Sequence, residues 1–297
     1  MCAASSRGRW IVEQRGRSRR PWTFYVLAAF FALFVLFLYG PMLCIYILSF
    51  QGPTGGLTFP LRGVSLHWFH ALFGQARTGD IAGAFSRSIP LALIVMALTV
   101  AISLSAGLAF RRRFVGSTLI FYLAVASLIV PGLLLSVGIG LGFQELGLRP
   151  RWYSSGLGAH LSWTLPFGLL IMFAVFSRLS RSYEEAARDL GAGSWQTLRY
   201  VVIPIVLPGI IGVALFGFTL SYDEFARSWV TIGPKNTLPL EIWGMTTNIT
   251  SPALYALGTV TTAISFCVIA VALGAIAVIQ GRRTRRRIER ERTGERI

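Results

Sequence analysis

The residues of this 297-residue chain that could do chemistry are few, and their types suit holding a charge better than breaking a bond. Asp223 and Glu224 follow Ser221 and Tyr222 at the end of a long apolar run. Acids at the margin of a hydrocarbon layer are costly and mark functional positions by default. Trp229, Glu241 and Trp243 lie a short way on. Carboxylates with aromatic faces recognise cations. Alternatively these residues form an outer rim, with Asp223 pairing Arg227 at i, i+4. Local spacing assembles no nucleophile–base pair and no cluster of metal ligands. His67 and His70 sit three apart without a third ligand nearby, so they read as interfacial residues beside Trp68. His160, alone at the start of an apolar run, reads the same way. Cys2, Cys44 and Cys267 are far apart and read as small packing residues. No G-x-x-x-x-G-K-[ST] phosphate loop is present, since the one lysine, Lys235, precedes Asn236.

A second acid stands out in the polar stretch Ser180–Ile203. Ser182 and Glu185 have capping-box spacing, which predicts a helix from Tyr183. Gly191 suits the left-handed position just past that helix. Ser194 can cap a second short helix through Trp195 and Leu198, ending near Pro204. Pro208 and Gly209 then open the next apolar run, where proline is tolerated. Glu184 and Arg188 form an i, i+4 pair, whereas Glu185 faces Asp189. Glu185 therefore lacks a local cation, and Ala186 and Ala187 leave a low surface beside it. Such a helix fits a basic-rimmed groove on a partner. The alternative is that Glu185 only completes the capping box and Asp189 is solvated.

The elements that must position these residues are membrane spans. Apolar residues make up 54% of the chain and charged residues 13%, about half the usual charged share of roughly 25%. Six apolar runs could cross a hydrocarbon core: Val26–Phe50, Ser88–Phe110, Ser117–Phe143, Gly156–Phe176, Ile205–Leu220 and Leu254–Ile279. Pro131–Gly132 marks a kink or discontinuity in the third. Trp22–Phe50 exceeds a signal-peptide core and reads as a retained membrane helix. Ser65–Phe73 places Leu66, Phe69, Leu72 and Phe73 on one helical face, which predicts a short helix at the outer membrane surface.

The formal net charge is +16, but its distribution argues against nucleic-acid binding. Arginines concentrate before the first run (Arg7, Arg9, Arg15, Arg17, Arg19, Arg20) and after the second (Arg111, Arg112, Arg113). They recur after the fourth (Arg178, Arg181, Arg188, Arg199) and after the sixth (Arg282, Arg283, Arg285 onward). Arg62, Arg77, Arg87, Arg149, Arg151, Arg227 and Lys235 are scattered over the opposite loops. The alternation predicts an even number of spans with both ends in the cytoplasm, and basic tails against anionic lipid.

The stretch Glu184–Ile210 also resembles the EAA loop of binding-protein-dependent ABC importer permeases. The matching residues are Glu185, Ala186, Ala187, Asp189, Leu190, Gly191, Ala192, Trp195, Leu198, Ile203, Pro204, Pro208, Gly209 and Ile210. Leu198 and Ile203 depart mildly from the residues common there. Phe218–Gly244 and Ser251–Val260 resemble, within that family, the second permease of spermidine/putrescine-type importers. The resemblance implies an all-α integral membrane protein of type I-like ABC importer architecture, with six transmembrane helices and a cytoplasmic EAA coupling loop. Its parts would be a basic tail (1–21), a permease domain (22–280, coupling loop 181–204) and a second basic tail (281–297). It implies a non-catalytic subunit of the bacterial inner membrane forming half of a solute path. Glu185, Ala186, Ala187, Asp189 and Gly191 would couple to the ATPase, and Tyr222, Asp223, Glu224 and Trp243 are candidates for the path. The implied partners are a homologous permease, two ATPase subunits, an extracytoplasmic solute-binding protein and membrane lipid. No cofactor is expected on this chain; ATP and Mg belong to the ATPase. The implied solute is a polyamine or related cation; phosphonate, iron and thiamine permeases share much of the pattern. A membrane enzyme or scaffold is the remaining alternative.

Overall fold

The computed structural model describes residues 21–74, 79–111, 114–248 and 251–292. Cys2, Arg77, Arg112, Arg113, residues 293–297 and, apart from Pro21, the first basic segment lie outside the described residues. Among the described residues the chain is helical, with a single isolated bridge between Gln51 and Val64.

Helix α1 (Trp22–Leu48) is apolar on all sides, and the most apolar part of it is unburied within the chain. Such a surface is at rest only in lipid or against another apolar protein. Helix α2 (His67–Gly74) forms where the amphipathic pattern predicts, but it is more than a surface helix. Ala71 and Leu72 are buried, and Trp68 and Phe69 pack on the core, while Leu66 and Phe73 of the expected face stay exposed. The neighbouring helix α3 and the last helix take up that inner face.

Three helices form the centre: α3 (Ile81–Phe110), α6 (Leu157–Ser177) and α9 (Ile203–Tyr222). Small residues permit their close approach, as is usual where lipid offers no hydrophobic drive for association. Gly107 lies against Phe176, Gly168 against Thr99, and Gly217 against the Met96 backbone. Thr99 and Thr164 share a hydrogen bond of 2.8 Å inside this bundle. The long last helix (Ala253–Arg292) packs on α1, α2 and α9.

The third apolar run is not one helix. It divides into α4 (Ser117–Ala126) and α5 (Gly132–Glu145), with Pro131 capping the second piece. Proline cannot donate the bond that would carry the helix across, which is the physical reason for the break. Among the described residues, five other stretches are long and apolar enough to span a membrane: Trp22–Leu48, Ile81–Phe110, Trp152–Ser177, Ser194–Tyr222 and Ala253–Ile279. Two of them begin well before their apolar runs, each through a π-helical turn, at Trp152–Gly156 and at Leu198–Val202.

Candidate functional site: an exposed acidic helix and an aromatic pocket

The polar stretch forms two short helices, α7 (Ser182–Asp189) and α8 (Ser194–Thr197). The capping details differ from the sequence expectation. Ser182 is the first helical residue; it exchanges a 2.7 Å hydrogen bond with Ser180 instead of making a capping box. The arrest of α7 is as expected. Gly191 has φ +82°, its N–H donates to the Arg188 carbonyl at 2.8 Å, and Ala192 N–H donates to the Ala187 carbonyl at 3.0 Å. That is a Schellman turn, which favours glycine at the left-handed position. Nothing crowds a Cβ at Gly191, so only backbone strain opposes a side chain there. Gly191→Val should strain this turn by about 1–3 kcal/mol. Limited proteolysis between α7 and α8 should accelerate while membrane insertion stays normal.

Gly193, not Ser194, caps α8, and its N–H donates to Gln196 Oε1 at 2.9 Å. The helix does not end near Pro204. It passes through the π-helical turn into α9, giving one helical run from Ser194 to Tyr222. The wider turn changes the hydrogen-bond register just before Pro204, so the missing donor falls where the ladder is already interrupted.

Glu184 pairs with Arg111 at the end of α3 rather than with Arg188. Glu185 is exposed, and its carboxylate has no hydrogen-bond or ion-pair partner among the described residues. Ala186 and Asp189 are exposed beside it, and Ala187 is half-buried. Leu190 is 89% exposed, Trp195 66% and Tyr200 69%. The polar stretch thus exposes an unpaired acid and three large apolar side chains, a surface suited to a partner.

At the other end of the bundle, Tyr222, Asp223 and Trp243 line one pocket with Phe225, Leu238 and Thr246. The Phe225 ring lies 5.3 Å from Trp229 and 5.6 Å from Trp243, giving an aromatic cluster. Asp223 is exposed, and its carboxylate has no partner among the described residues. Crowding by its neighbours nonetheless raises its pKa above the usual carboxylate value. The Asp223–Arg227 pair of the alternative, outer-rim reading is not made. Arg227 pairs with Glu224 instead, at 3.3 Å, and both side chains are buried. Glu224 therefore belongs to the structure beneath the pocket and is not a lining residue. The reason is local: α9 ends at Tyr222, so consecutive acids leave the helix in different directions.

A set of polar contacts lies at the same end of the bundle as this pocket. Arg87 binds Asp80 at 3.0 Å and the Asn236 carbonyl at 2.7 Å, while Glu241 accepts from Asp80 N–H and from Asn236. The Arg87 hydrogen bond holds the Asp80 carboxyl below its usual pKa. Glu241 is thus engaged in these contacts.

Residues 84–286 match the family described as binding-protein-dependent transport system inner membrane component. The chain belongs to this family. As a family member with several apolar helices, it is a multi-pass inner-membrane protein and a transport component. It is 28% identical over 252 residues to the spermidine/putrescine transport system permease protein PotC of Haemophilus influenzae, covering 83% of this chain and 94% of the relative. It is likewise 28% identical over 249 residues to the putrescine transport system permease protein PotI of Escherichia coli, covering 81% and 85%. Its fold resembles that of a bacterial ABC transporter for import of the polysaccharide alginate, with TM-score 0.62, 18% identity, and 88% and 97% coverage. The MetNI methionine ABC transporter is also similar, with TM-score 0.56, 14% identity, and 70% and 99% coverage.

The permease contains one polar cluster that sequence reasoning missed. His160, read as interfacial, is buried, and its ring nitrogens bond Ser221 at 2.8 Å and Ser228 at 2.9 Å. The Arg227 guanidinium lies 4.2 Å from the Trp163 ring centre, and a Cβ at Gly132 would sit 2.7 Å from it. These contacts fasten the segment after α9 to α6 and to the break in the third apolar run. The sequence signal was present only as scattered polar residues at 160, 221, 224, 227 and 228, with nothing to bring them together.

Proposed function

We propose that this permease forms half of the path of an ATP-driven importer and that its solute is a polyamine or related organic cation. The observation that carries the solute class is the outer pocket. There the unpaired Asp223 carboxylate lies beside the aromatic cluster, and the buried Tyr222 hydroxyl has no partner among the described residues. A carboxylate next to aromatic faces attracts ammonium groups, and the relatives with polyamine names support the same class.

In this reading α4 and α5 together make the sixth crossing, both termini are cytoplasmic, and residues 22–280 are a single permease domain between the basic tails 1–21 and 281–297. A second, homologous permease completes the path. An extracytoplasmic binding protein delivers the solute. Two ATPase subunits hold the ATP and Mg, and α7 docks on one of them through Glu185, Ala186, Ala187 and Asp189, with Gly191 fixing its end. This chain binds no cofactor and catalyses no reaction.

Uptake of labelled putrescine and spermidine by the assembled transporter tests the solute class. Asp223→Asn is expected to lower uptake by about tenfold, with the ATPase still co-purifying. Wild-type uptake should also fall as pH drops through the raised pKa of Asp223, because protonation removes the attracting charge. Unchanged uptake in Asp223→Asn would place this acid in the rim. Uptake of an anion, in preference to either polyamine, would overturn the solute class.

A further inference from the structure

Arg111 ends α3 at the coupling surface, and its side chain is only 10% exposed. One Nη pairs with the Glu184 carboxylate on α7, which is 24% exposed. The other donates to the Leu179 carbonyl at 3.4 Å. The guanidinium also lies 5.8 Å from the centre of the Phe176 ring of α6. The Arg111 carbonyl in turn accepts from Arg181 Nη2 at 2.6 Å, immediately before α7. Four interactions therefore converge on one residue, and two of them cross directly between the end of α3 and the start of α7.

The opposite end of α3 meets the outer pocket. Ile81 and Ala84 are buried in the same core as Tyr222 and Leu238, both of which line that pocket. Ser88 Oγ accepts from the Leu238 N–H at 2.7 Å. Helix α3 is 30 residues long, about 45 Å at the usual rise, and it is straddled by these two sets of contacts.

We propose that the Arg111–Glu184 pair is a strap that transmits movement of α7 to α3 and so to the wall of the outer pocket. It acts beside the covalent connection through α8 and α9. Glu184 and Glu185 then have different jobs on adjacent positions: Glu185 faces outward to a partner, and Glu184 faces inward to the bundle. The proposal rests on the reading of α7 as the ATPase-docking helix. Arg111 and Glu184 are positioning residues; neither need touch solute or nucleotide.

The test uses the full transporter, with its ATPase and partner permease, in proteoliposomes. Native cysteines are replaced, and a cysteine is placed at Thr246, an exposed residue of the outer pocket. The readout is the change in its labelling by a membrane-impermeant maleimide when a non-hydrolysable ATP analogue is added. This readout needs no knowledge of the solute. Arg111→Glu and Glu184→Arg are each expected to shrink the nucleotide-dependent change about tenfold, within the range of ordinary allosteric coupling, while the ATPase still co-purifies at the wild-type ratio. The charge-swapped double variant should recover most of the change, which ties the loss to the pair rather than to either side chain alone. Glu184→Gln, nearly identical in shape, gives a milder loss in the same direction and serves if a reversal fails to insert. An undiminished response in Glu184→Gln, no recovery in the double variant, or loss of the ATPase from the single variants would each overturn the strap. Glu185→Lys is the control for the reading beneath it. If that variant keeps both the ATPase and the nucleotide response, α7 is not the docking helix; if it loses the ATPase while Arg111→Glu responds normally, only the strap fails.

Discussion

Glu185→Lys is expected to reduce solute uptake at least a hundredfold while leaving the protein inserted in the membrane. Glu185 is exposed on α7, near the helix N-terminus, with no ion-pair partner to lose within the chain. Exposed substitutions of this kind usually change stability by about 0.5 kcal/mol or less. Reversing an acid in the first helical turn adds an unfavourable dipole interaction of about 0.3–1 kcal/mol. Neither cost unfolds a helical bundle. Docked in a basic-rimmed groove, however, the new lysine would meet like charge, and that costs several kcal/mol at an interface. Each 1.4 kcal/mol is tenfold in affinity, so about 3 kcal/mol accounts for a hundredfold loss. Co-purification of the ATPase and membrane yield, measured on the same preparation, check the two halves of the expectation. Normal uptake with the ATPase retained would remove Glu185 from the docking surface.

Arg227→Leu should have the largest effect on stability. Arg227 and Glu224 are 7% and 8% exposed at the side chain, and Trp163 covers the guanidinium. Leucine leaves the Glu224 carboxylate buried without its cation, and breaking a buried pair in this way costs about 3–5 kcal/mol. Glu224→Gln combined with Arg227→Leu should recover a large part of that, because the uncompensated charge is gone. Thermal unfolding of the detergent-solubilised protein, followed by the tryptophan environment, gives the comparison. Equal losses for the single and double variants would mean that packing of Arg227 on Trp163 and Gly132 matters more than the charge.

The spans were legible because a hydrocarbon core imposes both length and composition on a segment. The break at Pro131 was legible because proline carries its own geometric instruction, and so was the turn at Gly191. What the sequence left hidden was the choice among partners. Arg188 stands at the favourable spacing from Glu184, yet Arg111, 73 residues away, makes the pair. Spacing along a helix reports local neighbours only; a long side chain lying across Phe176 from another helix has no signature in spacing. The same limit separated Asp223 from Glu224. Both are acids at the end of one apolar run, and the ending of α9 sends one to the pocket and the other to a buried arginine. Likewise Pro204 read as a stop because a preceding π-helical turn cannot be seen in residue types alone. The candidate site was therefore legible as a list of residues, and less so as an arrangement.

The uninterrupted run from Ser194 to Tyr222 has a mechanical meaning. Its 29 residues make a lever about 44 Å long. One end carries Trp195, in the short helix that follows α7, and the other carries Tyr222 in the pocket wall. A tilt of about 10° about one end displaces the other by roughly 8 Å at this length. The π-helical turn at Leu198–Val202 and Pro208 inside α9 are two places where that lever could give. Both lie at or before the middle of the run, counted from α7, which leaves the stretch from Gly209 to Tyr222 as the stiff arm that reaches the pocket.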